Sequence, residues 1–577
     1  MRVFQLLFLL LSFSLFAQNN SKYATYFEKG NGNQSANYQE TINYYKFLDT
    51  EFKSIQLQEM GLTDSGESLH IVIFNADEIF DFNAISSDKI VILINNGIHA
   101  GEPDGIDATM QLYRDLALGK IKVPKNVVLV AIPVYNIGGA LNRNSSTRAN
   151  QDGPEEYGFR GNARNFDLNR DFIKSDTRNT RSFVALFHKV GPAIFIDNHV
   201  SNGADYQYVL TYIMTEPKRL GNVLGNFVKT EMTPAIVADL LQKEIQSTPY
   251  VNVWNGTPAA GFTQFSDSPR YATGYTSLFN TIGFVVETHM LKNYKKRVKV
   301  TYEFMVATIN YAEKNFEKIK TARTLNALQY QPKSSYPIQW VIDSSKMEKI
   351  SFLGFEGNYK KSESTTGNRL YYDRNKPYKK NISFFGTYKA VKEIIIPYAY
   401  IIPRGFWPVI DLLKMNQITY SQIKNDTVIE VESYKIIEYK TSKDAYEGHY
   451  PHNGTKVSVS KTKIAFAKGD FIFPTQQKNV KFLLETLEPE AVDSYFNWNF
   501  FDTILQQKEG YSAYVFEDLA AEYLKQNPTL KLQFEQKKKE DVMFGKDSNA
   551  QLNWIYKNSV HYENAHLQYP IYRVVTP

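Results

Sequence analysis

The 577-residue sequence contains no cysteine. This excludes disulfides, thiolate nucleophiles, cysteine zinc knuckles and iron–sulfur clusters together, so any metal site must be built from His, Asp or Glu. Charge of one sign is also scarce: 66 Lys and Arg stand against 60 Asp and Glu, a net +6 with no long basic tract, which argues against a nucleic-acid partner. Internal repeats are absent, and proline stops at 22 residues, so the chain is no linker, collagen or coiled coil. No apolar run reaches the roughly 20 residues needed to cross a bilayer, so no membrane anchor is expected. What is there is globular: 43% apolar, 22% charged and an unusual 14% aromatic, with 39 Tyr and 38 Phe. The length leaves room for about two to four domains, each with its own core.

Residues 1–17, MRVFQLLFLLLSFSLFA, place one Arg before a short apolar run and end on a small residue ahead of a polar stretch. This is the pattern of a secretory signal. Cleavage after Ala17 is expected, with the mature chain exported to a bacterial periplasm or secreted. An exported chain without disulfides points to a bacterial source.

Residues 18–325 alternate short apolar runs with amphipathic stretches, as a largely parallel sheet with crossover helices requires. Strands are expected at 70–74, 89–94, 127–134, 193–197, 208–212 and 283–287, and helices at 37–53, 104–117, 177–190, 236–246 and 298–318. The fold class is therefore α/β, a mixed, mostly parallel sheet with helices on both faces. From 326 to 577 the pattern changes to strict alternation, as in VIEVESYKIIEY (428–439) and KVSVSKTKIAFA (456–467), interrupted by helical pieces at 406–416 and 516–527. That is a β-rich α+β region with no assigned role.

The chemically interesting side chains fall at the carboxyl ends of the expected strands, where open α/β sheets place their ligands. HAGE, with His99 and Glu102, follows ILINNGI; His199 follows FIDN; Glu287 follows GFVV. Two imidazoles and a carboxylate are a hydrolytic Zn²⁺ ligand set that leaves a position open for water. A further carboxylate on a neighbouring strand, Glu287, suits proton removal from that water. Either piece alone is weak; their joint placement carries the inference. His70, His188, His449, His452, His561 and His566 read as structural, while His289, two residues past Glu287, is a supporting donor or a competing ligand. The stretch GFRGNARNFDLNRDF (158–172) crowds cationic and amide side chains together. Asn169 with Arg170 can grip a carboxylate in a forked, charge-assisted geometry, and another Arg nearer the metal can stabilise an oxyanion. The plainer reading is a surface loop whose arginines pair with Asp167 and Asp171.

HAGE, FDLNRDF, DNH and the VVET strand end resemble the zinc carboxypeptidases of the A and B type, over roughly residues 20–315. The resemblance implies one Zn²⁺ per chain on His99, Glu102 and His199, with Glu287 as general base. It implies Asn169 and Arg170 as the anchor for a substrate's terminal carboxylate, and an Arg nine residues before that Asn, Arg160, to polarise the scissile carbonyl; Arg164 is its rival. Two departures stand out. The family's Asn-Pro-Asp-Gly turn reads Asn136-Ile137-Gly138-Gly139, and the place of its mobile tyrosine falls near Phe265, with Tyr271 and Tyr275 as substitutes and Tyr271 preferred. The expected activity is removal of residues from peptide or protein C-termini. The alternatives are a cell-wall peptide amidase or deacylase on the same fold, or a peptide- or glycan-binding protein with a vestigial site.

Overall fold

A strand buried on both faces has no solvent side to alternate toward, so the centre of the molecule is made from the near-continuous apolar runs. The computed structural model describes residues 22–85 and 88–576; the expected secretory signal, 1–17, lies outside the described residues. In chain order the first strands are β1 (Ile55–Leu62), β2 (Ser68–Phe74), β3 (Ile90–Asn96), β4 (Val127–Ile132), β5 (Ile194–Ser201), β6 (Leu210–Met214), β7 (Ser247–Pro249), β8 (Phe262–Thr263) and β9 (Ile282–His289). All but β8 form one eight-stranded sheet in the order β1-β2-β4-β3-β5-β9-β6-β7. Its centre, β4-β3-β5-β9, is parallel, and antiparallel pairings at β2–β4 and β9–β6 attach the flanks. Every residue of β3, β4 and β5 is buried.

Helices α1 (Tyr38–Glu51), α2 (Asp104–Ala117), α3 (Arg178–Val190), α4 (Thr233–Gln242) and α5 (Tyr294–Ala327) cover the two faces. Local chemistry fixes their ends. Asn37 and Glu40 form a reciprocal capping box at the start of α1, while Thr177 caps α3 and Gly191, at φ 60°, closes it in the left-handed conformation. The fold is thus the expected α/β architecture with a mixed sheet. One shift has a clear cause: the strand expected at 208–212 starts at Leu210, because Tyr206 and Tyr208 turn instead onto Phe352 from the second half of the chain.

That second half is β-rich. It contains β10 (Ser335–Ile342), β11 (Glu348–Lys361), β12 (Asn368–Phe385), β13 (Tyr388–Ile395), β14 (Ala399–Ile402), β15 (Ser421–Gln422), β16 (Thr427–Thr441), β17 (His452–Phe466), β18 (Phe471–Pro474) and β19 (Tyr572–Val574). The helices α6 (Trp407–Met415), α7 (Val480–Leu487) and α8 (Ala513–Gln526) interrupt it. It packs directly on the α/β half: Phe482 of α7 meets Tyr275 and Phe279, and buried side chains from both halves form one continuous cluster. No helix among the described residues is long and apolar enough to cross a membrane.

Candidate active site

Strand register brings the expected groups together. In β5 the period of two puts Asp197 and His199 on one face, and the parallel pairing with β9 sets His199 beside Glu287. The loop leaving β3 supplies His99 and Glu102. One ligand atom from each of His99, Glu102 and His199 lies within 4.8 Å of the others, and all three residues are buried. His99 Nδ1 is 3.2 Å from Glu102 Oε1, and His199 Nδ1 is 3.2 Å from Glu102 Oε2. The opposite ring nitrogens are held by carboxylates: His99 Nε2 by Asp167 Oδ1 at 3.1 Å, His199 Nε2 by Asp197 Oδ2 at 2.9 Å.

This arrangement fits a metal ion. An imidazole that ligates through one nitrogen is oriented by an acceptor on the other, and both rings have that acceptor. His99 Nδ1 is buried without a hydrogen-bond partner, an orphaned donor set for which a cation is the natural occupant. Burial alone would raise the Glu102 carboxyl, but Arg148, His99 and His199 outweigh it and hold it well below the usual carboxylate range. Arg148 Nη1 lies 2.9 Å from Glu102 Oε1, and the Val200 N–H donates to Oε2 at 2.8 Å.

Glu287 differs. Its Oε2 is buried with no partner, and burial, reinforced by Glu102, Asp267 and Asp197 and opposed by His199, pushes its carboxyl up to about 8. Glu287, His99, Glu102 and His199 line a cavity of about 550 Å³, whose wall also carries Arg148, Arg160, Asn169, Arg170, Asp267 and Tyr271. Asp267 is a buried carboxylate in this wall, pushed up to about 6 by its burial and accepting from the Thr273 hydroxyl.

The cationic stretch is ordered around Asp167. Arg160 donates to Asp167 Oδ2 through Nε at 3.1 Å and Nη2 at 2.9 Å, which leaves its Nη1 3.8 Å from Glu102 Oε1. Asn169 N–H donates to Asp167 Oδ1, and Asn169 Oδ1 accepts from Ala272 N–H. The guanidinium of Arg170 lies over the Tyr271 ring at 4.3 Å, and that ring meets Phe265 edge-on at 5.4 Å. Asp171 does not pair with an arginine: it binds Lys174 and caps Thr177.

The alternatives left open by the sequence separate in space. Arg164 lies over Phe166 and donates to the Asp176 carbonyl, outside the cavity wall, whereas Arg160 lines it. Tyr275 is fully buried and donates to Asn416, while Tyr271 lines the cavity. His289 is no ligand: Nε2 is 3.0 Å from the Ala204 carbonyl and Nδ1 accepts from Leu291 N–H, with its proton affinity lowered to about 4 chiefly by burial. The altered turn also has a role, since Asn136 donates to the Arg160 carbonyl and caps Gly139. A Cβ on Gly138 would lie 2.5 Å from Ala163 N, so the loop bearing Arg160 passes too close for a side chain.

Several contributors escaped the sequence reading. Asp197 was detectable, because a strand's period of two aims it with His199. Arg148 and the second half's Tyr446 and Glu447 carry no local signal. Glu447 Oε2 accepts from Asp167 N–H at 2.9 Å across 280 residues, and Tyr446 stands beside Arg170.

No family model matches the chain. Among curated proteins it is 20% identical over 433 residues to carboxypeptidase 2 of Trichophyton rubrum, covering 71% of this chain and 74% of that one. Carboxypeptidase 2 of Trichophyton tonsurans is 20% identical over 430 residues, with the same coverage. Similar solved structures include a metallo-carboxypeptidase from Burkholderia cenocepacia, 15% identical at a TM-score of 0.37 over 48% of this chain and 70% of that one. Carboxypeptidase A from Helicoverpa armigera is 14% identical at 0.35, over 49% and 75%. These curated relatives are fungal and lend no support to a bacterial source. By sequence similarity over most of its length and by its His99, Glu102 and His199 grouping, the chain resembles the zinc carboxypeptidase family.

Proposed function

We propose that the protein is an exported zinc carboxypeptidase, binding one Zn²⁺ through His99, Glu102 and His199 and releasing residues from the C-termini of peptides or proteins. The observation that carries this reading is the convergence, in one cavity, of three ligand atoms within 4.8 Å, a carboxylate with one buried, unpartnered oxygen and a guanidinium–amide pair. Zinc bound there supplies Lewis acidity, polarising a carbonyl and making water acidic near neutral pH. Glu287 takes a proton from the attacking water as its oxygen bonds to the scissile carbonyl carbon. The same carboxyl returns the proton to the amine nitrogen as the C–N bond breaks. Arg160, tied to Asp167, offers Nη1 to the developing oxyanion. Asn169 and Arg170 receive the substrate's terminal carboxylate, which restricts attack to the last bond, and Tyr271 stacks beneath the guanidinium.

The test is mass spectrometry of a mixed peptide library after incubation with the purified protein, beside Glu287→Gln and a chelator-treated sample. Stepwise loss of C-terminal residues, absent from both controls, is the expected result. An untouched library with zinc bound at one per chain would instead favour the cell-wall amidase or deacylase reading, and a protein that purifies without zinc would favour a vestigial binding site.

A further inference from the structure

The hairpin β16–β17 ends in a tight turn, Tyr446-Glu447-Gly448-His449, closed by Tyr446 N–H to the His449 carbonyl at 2.8 Å and the reciprocal bond at 3.1 Å. Its two central residues have φ of 50° and 78°. Positive φ at both positions is the two-residue hairpin geometry that matches strand twist and that normally selects Asn-Gly or Asp-Gly. A glutamate in the first position is therefore unexpected: it accepts the left-handed conformation at a cost that Asn or Asp would largely avoid.

The contacts of the turn account for that choice. Glu447 Oε2 receives the Asp167 N–H at 2.9 Å. Asp167 is the residue whose carboxylate holds His99 Nε2, the Arg160 guanidinium and the Asn169 N–H at once. Gly448 lies against Phe166, where a Cβ would sit 3.1 Å from the ring, so the turn fits closely onto the residue before Asp167. His449 Nε2 anchors the other side on Asp176 Oδ2 at 2.8 Å, and its ring packs on Trp498. The turn is thereby fixed at both ends while Glu447 reaches its target.

We propose that Glu447 is a positioning residue for the zinc site: by fixing the backbone of Asp167 it sets the orientation of His99 and Arg160, although it touches neither metal nor substrate. The inference rests on the reading of His99, Glu102 and His199 as zinc ligands. It also gives the second half of the chain a part in the chemistry of the first.

The experiment uses the full chain, stripped of metal and titrated with Zn²⁺ against a chelating dye, with kcat and KM then measured on a peptide carrying a free C-terminus. Three variants are compared with the parent. Glu447→Asp keeps the charge and suits the left-handed turn but is one methylene too short to reach Asp167. Glu447→Ala removes the acceptor, and Glu447→Gln keeps a carbonyl oxygen at the same reach. Loss of an outer hydrogen bond to a ligand histidine weakens metal binding about 10- to 100-fold; Glu447 acts one step further out, through Asp167, so Asp and Ala are expected to weaken it by about 10-fold or somewhat less, with Gln close to the parent. Weaker zinc binding in Asp and Ala, with kcat lowered alongside and recovery in Gln, supports the proposal. Parental zinc affinity in Asp and Ala overturns it, as does a Gln variant that falls with them. A parent that binds no zinc overturns the zinc reading itself, which is a different failure from unchanged variants of a zinc-binding parent.

Discussion

In β3, β4 and β5 every side chain is buried, whereas β12 exposes half of its side chains and β17 most of them. The two halves of the chain use strands for different purposes. Short, sheathed strands hold their ends still, and the candidate ligand histidines and Glu287 sit within the last three residues of such strands or just beyond them, where a small displacement is costly to catalysis. Long, solvated hairpins give up burial for reach, and β16–β17 spends its reach on the turn against Asp167. Rigidity thus comes from one half, and a brace on Asp167, behind the cavity, from the other.

That division can be broken at its strongest point first. Removing zinc with a chelator is expected to abolish hydrolysis, with activity restored by added Zn²⁺ in a standard peptide assay. Next in size, Glu287→Gln should lower kcat by about 10²- to 10⁴-fold, the usual contribution of a positioned acid–base group. Its zinc content, read by elemental analysis, should stay at the parental level; activity within tenfold of the parent would remove Glu287 from the proton path.

The contact between the halves is tested by Phe482→Ala, which empties a site packed on Tyr275 and Phe279. Truncating a buried Phe costs about 3–5 kcal/mol. Calorimetry should show a single unfolding transition moved to lower temperature; two transitions with only one displaced would mean that the halves unfold independently. A smaller effect is expected from Arg170→Ala, which deletes a charged donor worth about 1.5–3 kcal/mol. Steady-state kinetics should place most of that loss in KM for substrates with a free terminal carboxylate, and amidated peptides should show little difference. The finest distinction is between Arg160→Ala, expected to reduce kcat, and Arg164→Ala, expected to leave both constants within about twofold because that side chain lies outside the cavity.

The comparison also explains what the sequence disclosed. Strands β3, β4, β5 and β9 were legible because burial on both faces writes an unbroken apolar run. β1 was not, since IQLQEMGL is a half-exposed edge strand without such a run, and β7 is only three residues long. His99, Glu102, His199 and Glu287 were legible because each falls near or just after the carboxyl end of one of the readable strands. Arg148 and Glu447 act through partners distant in sequence, Glu447 over 280 positions, and no local spacing encodes such a contact. Arg160 and Arg164 were likewise indistinguishable from spacing alone; only the fold separates them, placing Arg160 on Asp167 and in the cavity wall and Arg164 over Phe166.

The shared cluster around Phe482 bears on how this protein can be shortened. Helix α3 and the short helix Ala272–Ser277 cover one face of the central sheet, and their outer side lies against α6 and α7. A gene cut after residue 325, tempting because every ligand precedes it, would leave Tyr275 and Phe279 facing water and Asp167 without Glu447. Such a fragment should express as a sticky, poorly metallated product, so libraries for engineering this scaffold are best built on the uncut reading frame.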